Sequence, residues 1–388
     1  MTASCDIAVV GGGIAGGACA AALARRGFDV RLIERGPAPA AFDPAQTDPR
    51  VYAIAPQAAR FLETLEVWPE VLARRAQAIE AMHVWDRDPA AGLRFDAASV
   101  GTPALGWIVE HRLLASQVWA ALPASALRPQ TGVAVAEFGD SAVRLEFEDG
   151  GALQAKLVVG AEGAESALRT AAGIDVAGWS YDAAAVVCHF VSHVPHRGTA
   201  LQRFLEGGPI AFLPLADGRR SLVWSAPREE ANALLALDDA AFARRLEEAV
   251  QDEAGRISEP TKRLAFPLRL QHAQRYVAPR LALVGDAAHV IHPLAGQGLN
   301  LGLADAEALA ETLAGARAAG RDWTSLRTLS RYERARQAEN LEMMALTDGL
   351  HRAFRLSLPG AGTLLSRGLS LVDRLAPVKR ALIRRAQG

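Results

Sequence analysis

The stretch DIAVVGGGIAG, residues 6–16, decides the fold of this chain. A short apolar run ends in three consecutive glycines, and the alanine-rich segment that follows, up to about Arg26, has the period of a helix. A second apolar run, Val30–Ile33, comes next and leads into Glu34. Strand, glycine turn, helix and strand in this order predict a βαβ unit, and therefore an α/β domain with a parallel sheet.

The spacing of the glycines in this stretch indicates a dinucleotide site. Gly11, Gly13 and Gly16 form the pattern GxGxxG between a strand and a helix. The first glycine allows a tight turn, the second lets the backbone approach a pyrophosphate, and the third lets helix and strand pack closely. Glu34 at the tip of the next strand would accept hydrogen bonds from ribose hydroxyls. At this step the dinucleotide is either FAD or NAD.

Length and composition limit the class of protein. The chain has 388 residues, of which half are apolar, and this length favours two domains over one core. No run of about 18 apolar residues predicts a membrane span, and no basic leader predicts export. Three scattered cysteines, Cys5, Cys19 and Cys188, indicate neither a disulfide framework nor a zinc site, which fits a reducing cytoplasm. A formal net charge of -1 gives no electrostatic footprint for nucleic acid.

Periodicity beyond the first unit predicts an inserted sheet. Alternation of apolar and polar residues is typical of antiparallel strands. A buried apolar strand and a long helix after the alternating segment indicate that the chain then re-enters the first domain. The predicted elements are two strands in 133–147, a buried strand ending at Gly160, an antiparallel sheet in 186–224, a helix over about 238–249, a strand at 281–284 and a helix from Asn300 to about Ala319. Residues 104–121 are predicted mainly as helix, and residues 36–55 as a loose segment.

The stretch LVGDAAHVIHPLAGQGLN, residues 283–300, carries a family resemblance. A buried strand ending in Gly-Asp, followed by a proline and a Gly-x-Gly helix start, resembles the flavin-binding motif of class A flavoprotein aromatic monooxygenases of the p-hydroxybenzoate hydroxylase type. The resemblance implies that Asp286 accepts hydrogen bonds from ribityl hydroxyls and that Pro293–Asn300 lines the isoalloxazine. A helix N-terminus at the flavin would favour its anionic reduced form.

The stretch VVGAEGAESALR, residues 158–169, resembles the fingerprint for FAD and NADPH in the same family. The family pattern reads Gly-Ala-Asp-Gly, and this chain has Glu162 in place of the aspartate. Gly160 and Gly163 keep the backbone path, whereas the extra methylene leaves open how the chain handles nicotinamide. For Arg169, a surface ion pair is the alternative interpretation.

Shorter stretches narrow the resemblance to the ubiquinone-biosynthesis hydroxylases, over nearly the whole chain. These stretches are VWDRD (84–88), LGWIVEHRLL (105–114), GPIAFLPLADGRRSLVW (208–224) and APVKRALIRRAQG (376–388). The resemblance implies an FAD-dependent aromatic ring hydroxylase that uses NAD(P)H and O2 through a flavin C4a-hydroperoxide. Its substrate would be a polyprenylated phenol or quinol, hydroxylated at the C6 position of a 3-demethoxyubiquinol-type ring or at C5. A hydroxylase of another aromatic metabolite and a catalytically silent FAD-binding component of a complex are the alternatives.

No acid, base or nucleophile stands out as catalytic, so the cofactor is expected to supply the reactivity. Apolar residues of the inserted sheet are candidates for the pocket wall, with ordinary sheet core as the alternative. The wall candidates are Phe204, Ile210, Phe212, Leu213 and Pro214, together with Pro293. The predicted cofactor contacts are Gly11, Gly13, Ile14, Ala15, Gly16, Glu34, Arg35, Arg50, His111, Val133, Gly160, Glu162, Gly163, Gly285, Asp286, Pro293, Gly296, Gln297, Gly298, Leu299 and Asn300.

Some polar residues carry open alternatives. His111 is either a flavin neighbour or a surface histidine at a helix start, and Arg50 is either a cofactor contact or a solvated loop charge. His289 and His292 have the HxxH spacing of metal ligands, as do His193 and His196, but no third ligand is evident and no metal is predicted.

The predicted fold is a Rossmann-like domain of the glutathione-reductase type with an inserted antiparallel substrate sheet and C-terminal helices. The predicted FAD-binding domain is discontinuous, over residues 1–75, 101–180 and 276–355, with a substrate domain over 76–100 and 181–275. Residues 356–388 contain basic residues among leucines and predict a helical tail. This tail is expected either to contact an anionic membrane or a biosynthetic complex at the inner face of the cytoplasmic membrane, or to cap the domains.

Overall fold

The structure is a computed structural model that describes residues 3–291 and 296–355, with side chains as far as residue 349. Its strands are β1 (Ala3–Val10), β2 (Val30–Ile33), β3 (Val51–Ile54), β4 (Ala76–Ile79), β5 (Ala81–Trp85), β6 (Leu93–Asp96), β7 (Gly106–Glu110), β8 (Leu127–Arg128), β9 (Val133–Phe138), β10 (Val143–Phe147), β11 (Ala152–Gly160), β12 (Val176–Ser192), β13 (Thr199–Leu205), β14 (Gly208–Pro214), β15 (Arg220–Pro227), β16 (Ile257–Ser258), β17 (Leu264–Ala273), β18 (Val277–Ala278), β19 (Leu281–Leu283) and β20 (His289–Val290).

Helices occur between the strands along the whole described chain and follow them at its end. They are α1 (Ile14–Arg25), α2 (Pro56–Thr64), α3 (Trp68–Arg75), α4 (His111–Ala120), α5 (Ala167–Ala171), α6 (Arg228–Ala236), α7 (Asp239–Ala249), α8 (Gln297–Ala318) and α9 (Leu326–Arg355). No helix of the described residues is long and apolar enough to cross a membrane.

A first sheet has the strand order β18-β19-β11-β1-β2-β8, and β10 and β9 extend it from β11. Its central strands are parallel, and their registers align the carboxyl ends: Val10 pairs with both Gly160 and Ile33, and Gly160 pairs with Leu283. Since a glycine motif follows each of β1, β11 and β19, the parallel register brings the three motifs to one edge of the sheet.

The helices α1 and α8 lie against each other beside this edge. Residues Ala18–Ala22 of α1 are fully buried, so the alanine-rich sequence forms a thin helix that neighbours can approach closely. A Cβ on Gly302 would lie 3.2 Å from the Cβ of Ala15 and from the Cα of Gly285. Small side chains therefore set the spacing between the two helices and the turn after β19.

A second sheet has nine strands, in the order β20-β17-β12-β15-β14-β13-β5-β6 with β16 paired to β12. Its core of buried aromatic residues includes Trp85, Trp224, Phe190 and Phe212. The helices α6 and α7 pack against this core, and α7 begins at Asp238, whose side chain accepts a hydrogen bond from the amide of Ala241. A third sheet, β3-β7-β4, packs against the hydrophobic core of the first sheet through Ile54 and Val109.

The elements predicted from periodicity are confirmed, except at three places. Residues 104–121 contain β7 before α4, because Trp107, Ile108 and Val109 pair on both sides with β3 and β4. The loose segment 36–55 ends in β3, and α8 begins at Gln297, three residues before the predicted start. The domain boundaries stay a prediction, and β12 runs through the boundary placed at residue 180. The predicted tail 356–388 lies outside the described residues.

Candidate active site

A cavity of about 850 Å³ lies between the carboxyl edge of the first sheet and one face of the nine-stranded sheet. This volume is within the range of roughly 300–1,000 Å³ that small-molecule sites occupy. Of the predicted cofactor contacts, the following line it: Gly11, Gly13, Ile14, Ala15, Gly16, Glu34, Arg50, His111, Glu162, Gly163, Gly285, Asp286, Gly296, Gln297, Gly298, Leu299 and Asn300. We call the lining residues in 11–16, 161–164, 284–286 and 296–300 the glycine wall.

The first glycine turn has the geometry that its spacing predicts. Gly11 has φ +107°, and a Cβ there would lie 2.2 Å from the carbonyl oxygen of Ala161. A Cβ on Gly16 would lie 2.0 Å from the oxygen of Gly11, whereas one on Gly13 would meet nothing within 4 Å. Gly11 and Gly16 are therefore required for packing, and Gly13 keeps open the space before the N-terminus of α1.

Glu34 is held in place by backbone amides. Its Oε2 accepts a hydrogen bond from the amide of Gly12 at 2.6 Å, and its Oε1 accepts one from the amide of Gly36 at 2.7 Å. The indole of Trp119 donates to the oxygen of Gly12 at 2.7 Å, which fixes the other side of the same peptide. The carboxylate thus has a fixed orientation at the cavity and retains lone pairs for a ligand hydroxyl.

Glu162 organises the second loop. Its Oε2 accepts hydrogen bonds from the hydroxyl of Ser166 at 2.6 Å and from the amide of Leu168 at 3.1 Å, across the start of α5. Arg169 is buried and donates to the oxygens of Ala164 at 2.8 Å and Ala287 at 3.0 Å. The surface-pair interpretation of Arg169 is therefore wrong, because the side chain ties this loop to the turn after β19.

The turn after β19 presents Asp286 to the cavity. Gly285 has φ +60°, and the turn continues as a short 3-10 helix, Gly285–Ala287. The Asp286 carboxylate is exposed to the cavity yet closely surrounded by protein, and it accepts no hydrogen bond from the described residues. Burial raises the pKa of Asp286, and the positive charges near it, including Arg269 and Arg50, only partly oppose that shift.

The third motif, residues 296–300, fastens α8 to β3 and lines the cavity. Asn300 accepts a hydrogen bond from the amide of Ala55 at 2.9 Å and donates to the oxygen of Ala53 at 2.9 Å, so its side chain fastens α8 to β3. Gly296 has φ +64° at the N-terminus of α8. Gln297, Gly298 and Leu299 line the cavity, and the predicted contact Pro293 lies outside the described residues.

A chain of three polar groups, of which only Tyr52 was missed from the sequence, lines one side of the cavity. The guanidinium of Arg50 donates to the hydroxyl of Tyr52 at 3.2 Å, and this hydroxyl lies 3.3 Å from Nδ1 of His111. Burial and the charge of Arg50 lower the pKa of His111, and burial raises the pKa of Tyr52. Arg50 also lies over the ring of Phe266, at 5.8 Å. The prediction placed Arg50 and His111 here, but no motif marks Tyr52.

The opposite side of the cavity is formed by one face of β12, β13, β14 and β15. We call its lining residues the strand wall: Ala185, Val187, Ala200, Gln202, Ala211, Leu213, Ser221 and Val223. The buried hydroxyl of Ser221 has no hydrogen-bond partner among the described residues, and Gln202 is the other polar residue of this wall. Alternation along the strands selects these residues, and it offers no signal for the two polar ones.

Most of the predicted wall residues need correction. Leu213 lines the cavity, but its neighbours Phe212 and Pro214 do not, because successive residues of β14 point to opposite faces. Phe212 is fully buried against Phe190 in the core of the nine-stranded sheet, where Ile210 also lies. Phe204, near the end of β13, lies beyond the cavity lining.

Three predicted cofactor contacts also lie outside the lining. Arg35 is exposed and pairs with Glu148 at 3.0 Å. Val133 begins β9 and packs against the core of the first domain. Gly160 is buried at the end of β11, where a Cβ would lie 2.9 Å from the side chain of Leu283, so this glycine acts through packing.

The lining fits FAD on observations of this structure. The N-termini of α1 and α8 both reach the cavity, and such helix ends bind phosphate and stabilise anionic groups. Gly13 leaves open space before α1, and Asp286 and Glu34 are oriented carboxylates that could accept from hydroxyl groups. Among the described residues no group of three or more side chains is arranged to hold a metal ion.

Comparisons with known proteins agree with this geometry. A family model described as "FAD binding domain" matches residues 4–346. The 3-demethoxyubiquinol 3-hydroxylase of Escherichia coli is 38% identical over 387 residues, which cover 99% of this chain and 98% of that protein. The ubiquinone hydroxylase UbiL of Rhodospirillum rubrum is also 38% identical, over 99% of this chain and 89% of the relative.

Similarity to solved structures supports the same fold. The crystal structure of p-nitrophenol 4-monooxygenase PnpA from Pseudomonas putida has a TM-score of 0.79 and 20% sequence identity to this chain. The match covers 99% of this chain and 98% of that one.

Proposed function

This chain belongs to the FAD-binding-domain family of flavoprotein monooxygenases, and from that premise we propose that it hydroxylates the ring of a polyprenylated quinol in ubiquinone biosynthesis. FAD is its cofactor, with NAD(P)H and O2 as co-substrates. A 3-demethoxyubiquinol-type ring is the favoured substrate, because a relative matched over nearly its whole length is named for that compound. A C5-type ring position is the alternative.

One observation carries the proposal. A single cavity has the glycine wall on one side and the strand wall, which contains no charged side chain, on the other. A neutral, flat quinol ring suits this arrangement, since alanines and valines leave a smooth surface and a charged substrate would find no partner there. The hydroxyl of Ser221 and the amide of Gln202 are the polar groups of the strand wall available to ring oxygens.

The apolar character continues beyond the ring position. Ile79, Met82, Phe95 and Leu105 line the part of the cavity formed by residues 76–105. These side chains offer an apolar path for an isoprenoid chain, whose burial contributes about 0.8 kcal/mol per CH₂ group. We place the tail of the substrate here.

The roles of the chain follow from its groups. When bound, FAD would supply the redox chemistry, for which NAD(P)H is the reductant and O2 the oxidant. The glycine wall and Glu34 would hold it, with Glu34 at the ribose, Gly13 beside the pyrophosphate and Asp286 at the ribityl hydroxyls. The strand wall orients the ring and excludes water, because water at the reacting oxygen would divert reducing equivalents into hydrogen peroxide.

The test uses the purified full chain with FAD. We expect a demethoxyubiquinol analogue with a short isoprenoid tail to accelerate NAD(P)H oxidation and to gain one oxygen atom, detected by mass spectrometry. The same ring without a tail is the matched control and should show a higher KM. Oxidation that yields only hydrogen peroxide with every quinol tested would contradict the proposal.

A second experiment tests the pathway in cells. Cells that lack the gene should accumulate one under-hydroxylated polyprenyl phenol, which the parent chain removes and the Asp286→Ala variant does not. The mass of that intermediate distinguishes a 3-demethoxyubiquinol-type position from C5. A normal quinone profile would instead direct the search to another aromatic substrate.

We further propose that the chain works at the cytoplasmic face of the inner membrane. The support is chemical: a polyprenylated substrate resides in the membrane, and residues 356–388 carry Arg367, Arg374, Lys379, Arg380, Arg384 and Arg385. In a flotation assay, the parent chain should rise with vesicles that contain anionic lipid. A variant with glutamine at these six positions should float less, and equal flotation of both would contradict the proposal.

A further inference from the structure

A buried charge network lies behind the turn that carries Asp286, and its centre is Asp305 on α8. The Asp305 side chain is fully buried. Its Oδ2 accepts a hydrogen bond from the amide of Gly285 at 3.0 Å and lies 2.5 Å from Nε2 of His289. Its Oδ1 accepts from Nε of Arg336 at 2.8 Å and from the amide of Asn340 at 3.2 Å. Four donors therefore satisfy the carboxylate.

The pairing keeps this carboxylate ionised. His289 and Arg336 outweigh the effect of burial and hold the pKa of Asp305 at about 2. Arg336 and Asn340 lie on α9, and His289 begins β20, so one side chain joins α8, α9 and the turn after β19. Buried ion pairs often contribute little net stability, which leaves a positioning role to explain the arrangement.

The turn itself is held from two sides. Asp305 accepts the amide of Gly285, the residue with φ +60° immediately before Asp286. Arg169 donates to the oxygen of Ala287, the residue immediately after it. An anion and a cation thus fix the two neighbours of Asp286, whose own carboxylate accepts no hydrogen bond from the described residues and faces the cavity.

We propose that Asp305 is a positioning residue for FAD: by holding the Gly285 amide in the left-handed turn, it directs the Asp286 carboxylate into the cavity. Asp305 does not line the cavity, and it acts on the cofactor only through Asp286. The proposal rests on FAD binding and not on the identity of the substrate. Its failure would leave the quinol hydroxylase proposal unchanged.

Two double variants separate positioning from simple core stability. In Asp305→Leu with Arg336→Met, both charges are replaced by apolar groups, and the Gly285 amide has no acceptor. In Asp305→Asn with Arg336→Met, the amide oxygen can still accept from Gly285. The amide nitrogen faces the side-chain amide of Asn340, which can turn over to present its oxygen because Arg336 no longer donates to that oxygen. Both variants avoid leaving Arg336 as an unpaired buried charge.

The measurements are the dissociation constant of FAD, from flavin fluorescence during titration of the full chain, and the urea midpoint of the flavin-free chain. The apolar pair should weaken FAD binding about 10- to 100-fold, whereas the amide pair should stay within about fivefold of the parent. In an Asp286→Ala background the apolar pair should cause no further loss, because the residue through which Asp305 acts is gone.

Two results would overturn the proposal. One is an effect of the apolar pair on FAD affinity that adds in full to that of Asp286→Ala, since this would mean independent action. The other is a folded amide pair, with a urea midpoint near that of the parent, that binds FAD as weakly as Asp286→Ala. The second result decides the question even if the apolar pair fails to fold.

Discussion

The two walls of the cavity are built in different ways. The glycine wall is made of backbone and of side chains fixed by it, and its glycines lie so close to other chain segments that a single Cβ at Gly11 or Gly16 would overlap a carbonyl oxygen. The strand wall is made of side chains that alternate along ordinary strands. The backbone geometry of the glycine wall therefore depends on particular residues. In the strand wall, by contrast, a single side chain can be replaced without moving the backbone.

The largest expected effect tests the glycine wall. Gly16→Ala places a Cβ 2.0 Å from the oxygen of Gly11, so α1 must shift; we expect FAD binding to weaken more than about 100-fold and the urea midpoint to fall. Gly13→Ala is the matched control, since its Cβ meets nothing in the protein. It should keep the urea midpoint of the flavin-free chain and still lose FAD. If Gly13→Ala lowers the urea midpoint as much as Gly16→Ala does, the interpretation of Gly13 as open cofactor space is wrong.

Neighbouring residues of β14 test the strand wall. Phe212→Ala removes a fully buried ring and should lower the free energy of unfolding by about 3–5 kcal/mol. Leu213→Ala changes the cavity instead and should lower it by about 1 kcal/mol, while raising the KM for the quinol several-fold. Urea unfolding and steady-state kinetics measure the two quantities. A larger KM change in Phe212→Ala than in Leu213→Ala would reverse the assignment of faces.

A smaller effect concerns the charge of the glycine wall. Asp286→Ala should raise the dissociation constant of FAD about 10- to 150-fold, the equivalent of one hydrogen bond to a charged acceptor. Fluorescence titration of the full chain measures it. Asp182→Ala removes a carboxylate that pairs with Arg228 at the surface, away from the cavity lining, and is the control. Equal losses in the two variants would indicate a general effect of charge.

The smallest effect separates binding from stability. Burial raises the pKa of Asp286 in the folded chain, so the folded state disfavours its charge, and stability falls as the pH rises through the folded pKa. Asp286→Asn should therefore make the flavin-free chain more stable than the parent at pH 7. The advantage should vanish below the pKa of the unfolded aspartate, about 3.9, where both side chains are neutral. Urea unfolding of both chains at pH 7 and below about pH 3.9 measures this difference in stability. A variant that is less stable than the parent at pH 7 would contradict the prediction.

The sequence predicts the glycine wall well, because each of its turns needs a residue type that few other sites require. Gly11, Gly16 and Gly285 are identified by patterns that reflect backbone geometry. The ties among these turns were not predictable in the same way. Arg169, Asn300 and Asp305 each hold a backbone atom that lies 20 or more residues away in the chain, and a backbone partner leaves no trace in the sequence.

The strand wall was harder to predict for a different reason. An apolar residue in an alternating run lines either the cavity or the core, and only the position of the sheet decides which. Phe212 and Leu213 are adjacent apolar residues of β14, and their side chains point to opposite faces of the sheet. Ser221 and Gln202 were missed because a polar residue on a strand more often faces solvent. The segment with β3 and Tyr52 was not predicted because it contains prolines and has weak periodicity.

The register of the parallel strands also has a consequence for biosynthesis. Val10 pairs with Ile33 and Gly160, and Gly160 pairs with Leu283, so the edge that carries all three glycine motifs is complete only after about three quarters of the chain has left the ribosome. Translation takes on the order of tens of seconds for that length. The sheet has high contact order, and β11 has one edge without its partner β19 until then. Flavin supply and chaperone access during this interval should therefore influence the yield of folded protein.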